Sequence, residues 1–278
     1  MVVEPQKLDG KVAWVTGSSR GIGRVIATFL AGQGAEVAIH GTTPYSTQAF
    51  DEGSSLDAVA KEIAKNTNKS IFPTSGDLTD EDTVSRIYTQ VEDEFGSLDI
   101  LVNCAGGDIG TAGTSGPMAG KPANNDPINI DISDISTVMD RNLMTCILCS
   151  RVVAPSMMER KSGRIVSIGS VAGLQGVSNS AIYATAKAAV HEYTRCLADM
   201  LRPYNVTANV IAPGDIETPR FLASRVVDER MRQSNETLLR YGQSIEVARA
   251  VGFLVSDDNT YITGQVLRVD GGKQIWAG

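Results

Sequence analysis

Hydrophobic and polar positions along this chain fall into two alternating kinds of block: short apolar runs, and longer stretches with an apolar residue every three or four positions. Residues 11–16 (KVAWVT) form a run of the first kind that ends at Gly17, and Ile22, Val25, Ile26, Phe29 and Leu30 follow at helical spacing. This predicts strand, turn, helix. The alternation then repeats. Residues 35–40 predict a second strand, a polar stretch over 43–55 leads into a helix over 56–64, and 70–75 return as strand. Residues 81–95 predict a helix that ends at Gly96, with Thr79 and Asp80 as N-cap candidates, and 99–103 (DILVN) a fourth strand. Further on come helices over 138–153, 182–201 and 245–255 and strands over 164–168, 207–212 and 265–269. Strands separated by helices predict an α/β fold, a seven-stranded parallel sheet covered by helices on both faces.

Two stretches break the rhythm. Residues 107–133 are rich in Gly, Pro, Asn and Asp, and a long irregular segment inside a compact fold usually carries function, so this one is expected at the substrate mouth. Residues 219–242 are charged and read as helical, with Arg225, Arg232 and Arg240 each four residues from an acid (Glu229, Asp228, Glu236). That spacing predicts a solvated helix face, and 216–242 as a whole a lid over the substrate.

Length and composition narrow the function. With 278 residues, 42% of them hydrophobic, the chain suits a single α/β domain over 1–278. A net charge of -7 without a basic block argues against a nucleic-acid partner and a polybasic membrane anchor. No apolar run approaches the ~18 residues of a membrane span, and residues 1–11 lack the order of a signal peptide, so a cytoplasmic protein with a small-molecule partner is expected. Four cysteines in so long a chain fit free thiols in a reducing compartment. Cys146 and Cys149 form a C-x-x-C, but among Leu143, Ile147 and Leu148 they read as core of a buried helix; no metal site is expected.

The chemistry begins at 16–23, TGSSRGIG, between the first strand and the first helix. Gly17 permits a tight turn, Gly21 lets backbone approach a pyrophosphate, and Gly23 lets helix and strand pack closely, with the helix N-terminus facing the phosphates. This is the entry to a doubly wound Rossmann fold. An NAD site usually places an acid at the end of the second strand; here the chain reads His40-Gly41-Thr42-Thr43. With Arg20 in the turn, a 2′-phosphate would meet a guanidinium and two hydroxyls, so NADP(H) is favoured over NAD(H). Asp77, after the third strand, accepts from an adenine amino group or helps start the next helix; both readings stay open.

Tyr183 and Lys187 lie four apart, which stacks them on one helix face and sets a phenol beside an ammonium. A neighbouring cation stabilises the phenolate, so Tyr183 becomes a general acid near neutral pH. Ser170, upstream, supplies a neutral hydroxyl to hold a carbonyl oxygen. His40 and His191 are expected only to pack.

With these motifs in view the chain resembles the short-chain dehydrogenase/reductase family over nearly its whole length. TGSSRGIG is similar to the family's cofactor turn, NCAG (103–106) to its NNAG motif with Cys104 in place of the second Asn, and YATAK (183–187) to its Tyr-x-x-x-Lys; PGDIET (213–218) and YITGQVLRVDGG (261–272) resemble its nicotinamide segment and last strand. The broad likeness is to 3-oxoacyl-carrier-protein reductase-like and sugar or polyol dehydrogenase members. The resemblance implies four catalytic positions, Asn142, Ser170, Tyr183 and Lys187, with the Asn142 backbone carbonyl holding a water that reaches Lys187. It implies cofactor contacts at Gly17, Ser19, Arg20, Gly21, Ile22 and Gly23, then at Thr42, Asp77 and Leu78. Asn103, Ala105 and Gly106 would continue them, with Tyr183 and Lys187 themselves and, over the nicotinamide, Pro213, Gly214, Ile216 and Thr218. It further implies reversible hydride transfer between a carbonyl and an alcohol, and a homotetramer. Its rival is a dinucleotide-sensing binding protein of the same fold that catalyses nothing. Two departures, Cys104 and a loop after Gly107 about a dozen residues longer than in the simplest members, bear on substrate choice.

Overall fold

Val12–Val15, strand β1, is apolar throughout, and both of its faces are buried. Ala13 and Val15 point to one side, Val12 and Trp14 to the other, so the strand feeds two separate cores. A computed structural model describes residues 7–233 and 236–275 of the chain. The remaining positions, which the expected single domain and the charged segment include, lie outside the described residues.

Around β1 the sheet grows as the pattern predicts. Strands β2 (Glu36–Gly41), β3 (Ile71–Ser75), β4 (Ile100–Asn103), β5 (Gly163–Ile168), β6 (Val206–Pro213) and β7 (Val266–Val269) give seven parallel strands in the order β3-β2-β1-β4-β5-β6-β7. Helices α1 (Gly21–Gly32), α2 (Leu56–Thr67) and α7 (Ser244–Val255) cover one face. On the other lie α3 (Glu81–Phe95), α5 (Thr145–Arg160) and α6 (Ala181–Leu201), packed around Trp14 and Met157. Chain order reverses at β1, which pairs with β2 on one side and β4 on the other. That switch point opens a crevice at the carboxyl ends of the strands.

Local chemistry sets several boundaries. Ser55 caps α2 by accepting from Ala58 N at 3.1 Å, and Asp80 caps α3 by accepting from Thr83 N at 2.8 Å. Of the two candidates Asp80, not Thr79, is the cap, and Asp77 Oδ1 accepts from both the backbone and the hydroxyl of Thr79. The helix expected from residue 138 begins six residues earlier, as α4 (Ile132–Met139), and passes through a π turn, Asp140–Met144, into α5. Cys149 is fully buried in the Trp14 core, and all four cysteines are free.

The charged segment departs most from expectation. Its described part holds two five-residue helices, Pro219–Ala223 and Glu229–Gln233, tied at the base by a two-stranded parallel ribbon, Ile216–Glu217 with Gly242–Gln243. Among the described residues these arginines form no i,i+4 ion pair. Arg225 pairs with Asp215, Arg232 with Glu217 and Glu229, and Arg240 with Glu246. Helical spacing pairs residues only where a continuous helix exists, and here the chain turns back on itself.

Candidate active site

The crevice is a cavity of about 500 Å³ that runs from the glycine turn across the carboxyl edge of the sheet to Ser170, Tyr183 and Lys187. Its floor is held by backbone contacts that exclude side chains. A Cβ on Gly23 would stand 2.4 Å from the Gly17 carbonyl oxygen, and one on Gly17, whose φ is +62°, would stand 2.7 Å from Ala105 Cα. Thr16 Oγ1 accepts from the backbone N–H groups of Cys104 and Ala105 at 2.9 and 3.0 Å and so fastens the end of β4 to the turn. Ser18 Oγ donates to Val15 O at 2.6 Å and accepts from His40 N at 2.8 Å.

At the cofactor end the cavity is lined by Gly17, Ser19, Arg20, Gly21, Ile22 and Gly23, with Thr42, Asp77 and Leu78 across from them. Ala105, Gly106, Pro213, Gly214, Ile216 and Thr218 line its middle. Asn103 does not. Its Nδ2 donates to Ser150 Oγ at 3.0 Å, which turns the side chain into the α5 core, because strand alternation sends residue 103 away from the crevice.

The three residues read as proton-transfer machinery converge at the far end. Tyr183 and Lys187 share a face of α6, the Lys187 Nζ lying 5.8 Å from the Tyr183 ring centre, and Ser170 lines the cavity beside the Tyr183 phenol. The electrostatics differ from expectation. Burial pushes the Tyr183 phenol above its ordinary pKa, the Ser170 hydroxyl and the charges of Arg220 and Arg225 pull it down, and Asp108 opposes them. The Lys187 ammonium donates to Ile168 O at 2.8 Å, and burial lowers its own pKa.

Asn142 sits in the π turn, and its side chain clamps Gly107 by both edges: Nδ2 donates to Gly107 O and Oδ1 accepts from Gly107 N, each at 2.9 Å. Its Oδ1 would lie 2.6 Å from a Cβ on Gly106, so the amide also closes the strap beside Lys187.

Several site residues escaped the sequence reading. His40, expected only to pack, lines the cavity; its Nδ1 accepts from Gly17 N at 3.2 Å, its Nε2 meets Gly76 O at 3.0 Å, and burial lowers its pKa to about 4. His191 Nε2 accepts from Ser170 N at 3.4 Å, and a Cβ on Gly169 would stand 2.3 Å from that nitrogen. Glu52 reaches in from the 43–55 stretch: Phe50 and Asp51 adopt left-handed backbone, which brings its Oε2 to Gly21 N at 2.7 Å, and its Oε1 is buried without a partner. Arg141 and Arg220 also line the cavity. Proximity to the PGDIET motif was the available signal for Arg220; nothing in the sequence marked Glu52. Cys104 is no reactive thiol, since burial pushes it up to about 11.

A dinucleotide fits these surroundings. The cavity has a glycine floor that a Cβ would fill, and it opens on the N-terminus of α1, where the N-cap residue Arg20 makes no side-chain cap and Glu52 meets Gly21 N. Comparison with known proteins agrees. A family model described as enoyl-(acyl carrier protein) reductase matches residues 17–274. The chain belongs to the short-chain dehydrogenase/reductase family. Among curated relatives, the 3-oxoacyl-(acyl-carrier-protein) reductase of Vibrio cholerae is 35% identical, over 95% of this chain and 98% of that protein. The cyclohexanol dehydrogenase of a Rhodococcus species is 37% identical, over 95% and 96%. Among solved structures, a 7α-hydroxysteroid dehydrogenase complexed with NADH and 7-oxo glycochenodeoxycholic acid matches with a TM-score of 0.81 and 30% identity, covering 96% of each chain. Levodione reductase matches with a TM-score of 0.80 and 28% identity, covering 96% of this chain and 98% of its own. This short-chain dehydrogenase/reductase is thus an oxidoreductase acting on CH–OH groups, of a family that binds NAD(P)(H). Among its described residues no helix is long and apolar enough to cross a membrane, and no group of three or more His, Cys, Asp or Glu is arranged to hold a metal ion.

Proposed function

We propose that this enzyme interconverts a ketone or aldehyde and an alcohol with NADP(H), using Tyr183 as general acid and base. The observation that carries the reading is that Ser170, Tyr183 and Lys187 meet at one end of the same cavity whose other end is the glycine turn. The dinucleotide supplies the hydride when bound, and the chain supplies orientation and the proton. Ser170 holds the carbonyl oxygen, and Tyr183, kept protonated at neutral pH by its burial, donates to it. Lys187 would hold the nicotinamide ribose, Asn142 keeps the Gly106–Gly107 strap in place beside it for the relay to solvent, and the described part of 216–242 would serve as the lid. Replacing Tyr183 by Phe removes the proton donor and is expected to lower turnover at least ~100-fold. Near-normal turnover of Tyr183→Phe rejects the assignment, and no NAD(P)H consumption across a broad ketone panel favours the non-catalytic sensor.

The phosphorylated cofactor is supported by Arg20 and Arg141 on the cavity wall and by the absence of an acid at residues 40–43. A second reading, NAD(H), is favoured by Glu52, whose carboxylate lines the same wall, while Arg20 is occupied by Ser46 O at 2.6 Å. The ratio of kcat/KM with NADPH and NADH decides between them. Arg20→Ala lowers that ratio if the guanidinium binds a 2′-phosphate and leaves it unchanged if it does not. The assembly expected is a homotetramer.

A further inference from the structure

The cavity end next to Tyr183 is more cationic than carbonyl reduction requires. Arg220, from the short helix Pro219–Ala223, lines the cavity with Tyr183 and Ser170. Its base is rigid: Thr218 Oγ1 accepts from Phe221 N at 3.1 Å, and the buried Phe221 ring packs against Tyr241 with centres 4.9 Å apart. The guanidinium reaches across to the strap after β4. Its Nη2 donates to the Asp108 backbone carbonyl at 2.6 Å, its Nη1 would stand 3.6 Å from a Cβ on Gly107, and its Nε is buried without a partner.

Among the described residues Arg220 has no ion pair with any acid. The acids nearby are engaged elsewhere. The Asp108 carboxylate acts on Arg220 only through its charge, its Oδ2 accepting from Asn125 and Ser180 at 2.8 and 2.9 Å and its Oδ1 buried without a partner, and Asp215 is bound by both Arg225 and Lys273. Lys121, which feels the charges of both Arg220 and Arg225, also forms no ion pair among the described residues. A half-buried guanidinium without a contacting carboxylate pays desolvation that the charge of Asp108, out of ion-pair reach, returns only in part. Arg presents a planar fork that matches a carboxylate in two parallel hydrogen bonds. We propose that the substrate carries a carboxylate near its reacting carbonyl, and that Arg220 binds it and sets specificity for such oxo acids.

The proposal rests on the carbonyl reductase reading above and names its substrate class. It is tested with a panel of 2-, 3- and 4-oxo acids, each paired with its methyl ester, in wild type, Arg220→Gln and Arg220→Lys, with cofactor Kd measured alongside. Wild type is expected to prefer at least one acid over its ester by about 30-fold or more in kcat/KM, the scale of breaking a desolvated charge pair. That preference collapses toward unity in Arg220→Gln and returns in part in Arg220→Lys. Reduction of neutral ketones or esters without preference for any acid overturns the carboxylate proposal and leaves the reductase reading standing. A preference that survives Arg220→Gln overturns the role of Arg220, as does a variant whose main defect is a raised cofactor Kd, which makes the guanidinium a cofactor ligand. No turnover of any ketone by wild type overturns both readings.

Discussion

His40 is fastened at both ring nitrogens, one accepting from the glycine turn and the other meeting the Gly76 carbonyl, so only the neutral imidazole satisfies both contacts. His191 is likewise neutral: burial and the charges of Lys187 and Arg195 bring it to about 4. In the unfolded chain each imidazole titrates near 6.5. Between these values the unfolded state binds more protons, so the stabilisation is complete above pH 6.5 and is lost as pH falls toward 4. Each histidine then contributes up to roughly 3 kcal/mol. Thermal unfolding followed from pH 7.5 to 4.5 is expected to show a Tm falling across this window, with a shallower fall in His191→Asn; a flat Tm contradicts the assignment. At the same scale, Gly23→Ala sets a methyl against the Gly17 carbonyl oxygen, a backbone atom that cannot give way. Weaker NAD(P)H binding and a lower Tm are expected together, since the close approach serves both turn and helix.

Among the elements, the π turn matters most to the candidate site. A uniform α-helix over 132–160 would carry Asn142 elsewhere on its circumference, whereas the π turn holds its amide against both edges of Gly107. Asn142→Ala leaves the Gly107 N–H and carbonyl without these partners. It is expected to lower kcat by about tenfold or more while the fold persists by circular dichroism; unchanged kcat removes Asn142 from the site. The 43–55 stretch makes the corresponding case at the cofactor end. Glu52 occupies a backbone N–H at the start of α1, where a phosphate would be favoured. Glu52→Gln removes the negative charge and is expected to tighten NADPH binding more than NADH binding, as measured by the two Kd values.

For the whole molecule, the parallel sheet leaves β3 and β7 as edges, and apolar side chains remain exposed on edge strand β7 (Leu267) and elsewhere, at Met200 at the end of α6, Phe253 on α7 and Tyr261. Such a surface suits self-association. Light scattering is expected to give a tetramer, with a smaller species in Leu267→Glu; a monomer at micromolar concentration removes this expectation.

The alternation of short apolar runs with helical periodicity determined the seven-stranded sheet, because strands buried on both faces need continuous apolar runs and covering helices need one apolar stripe. Spacing along one helix likewise determined that Tyr183 and Lys187 share a face. Contacts between distant segments followed no local rule, and tertiary structure alone decided them. It turned Asn103 into the core, brought Glu52 to the glycine turn and Arg220 to Tyr183, and exchanged the expected i,i+4 partners of Arg225, Arg232 and Arg240 for others. It also decided the state of the phenol, since a pKa depends on burial and on every nearby charge, and neither is a property of sequence spacing.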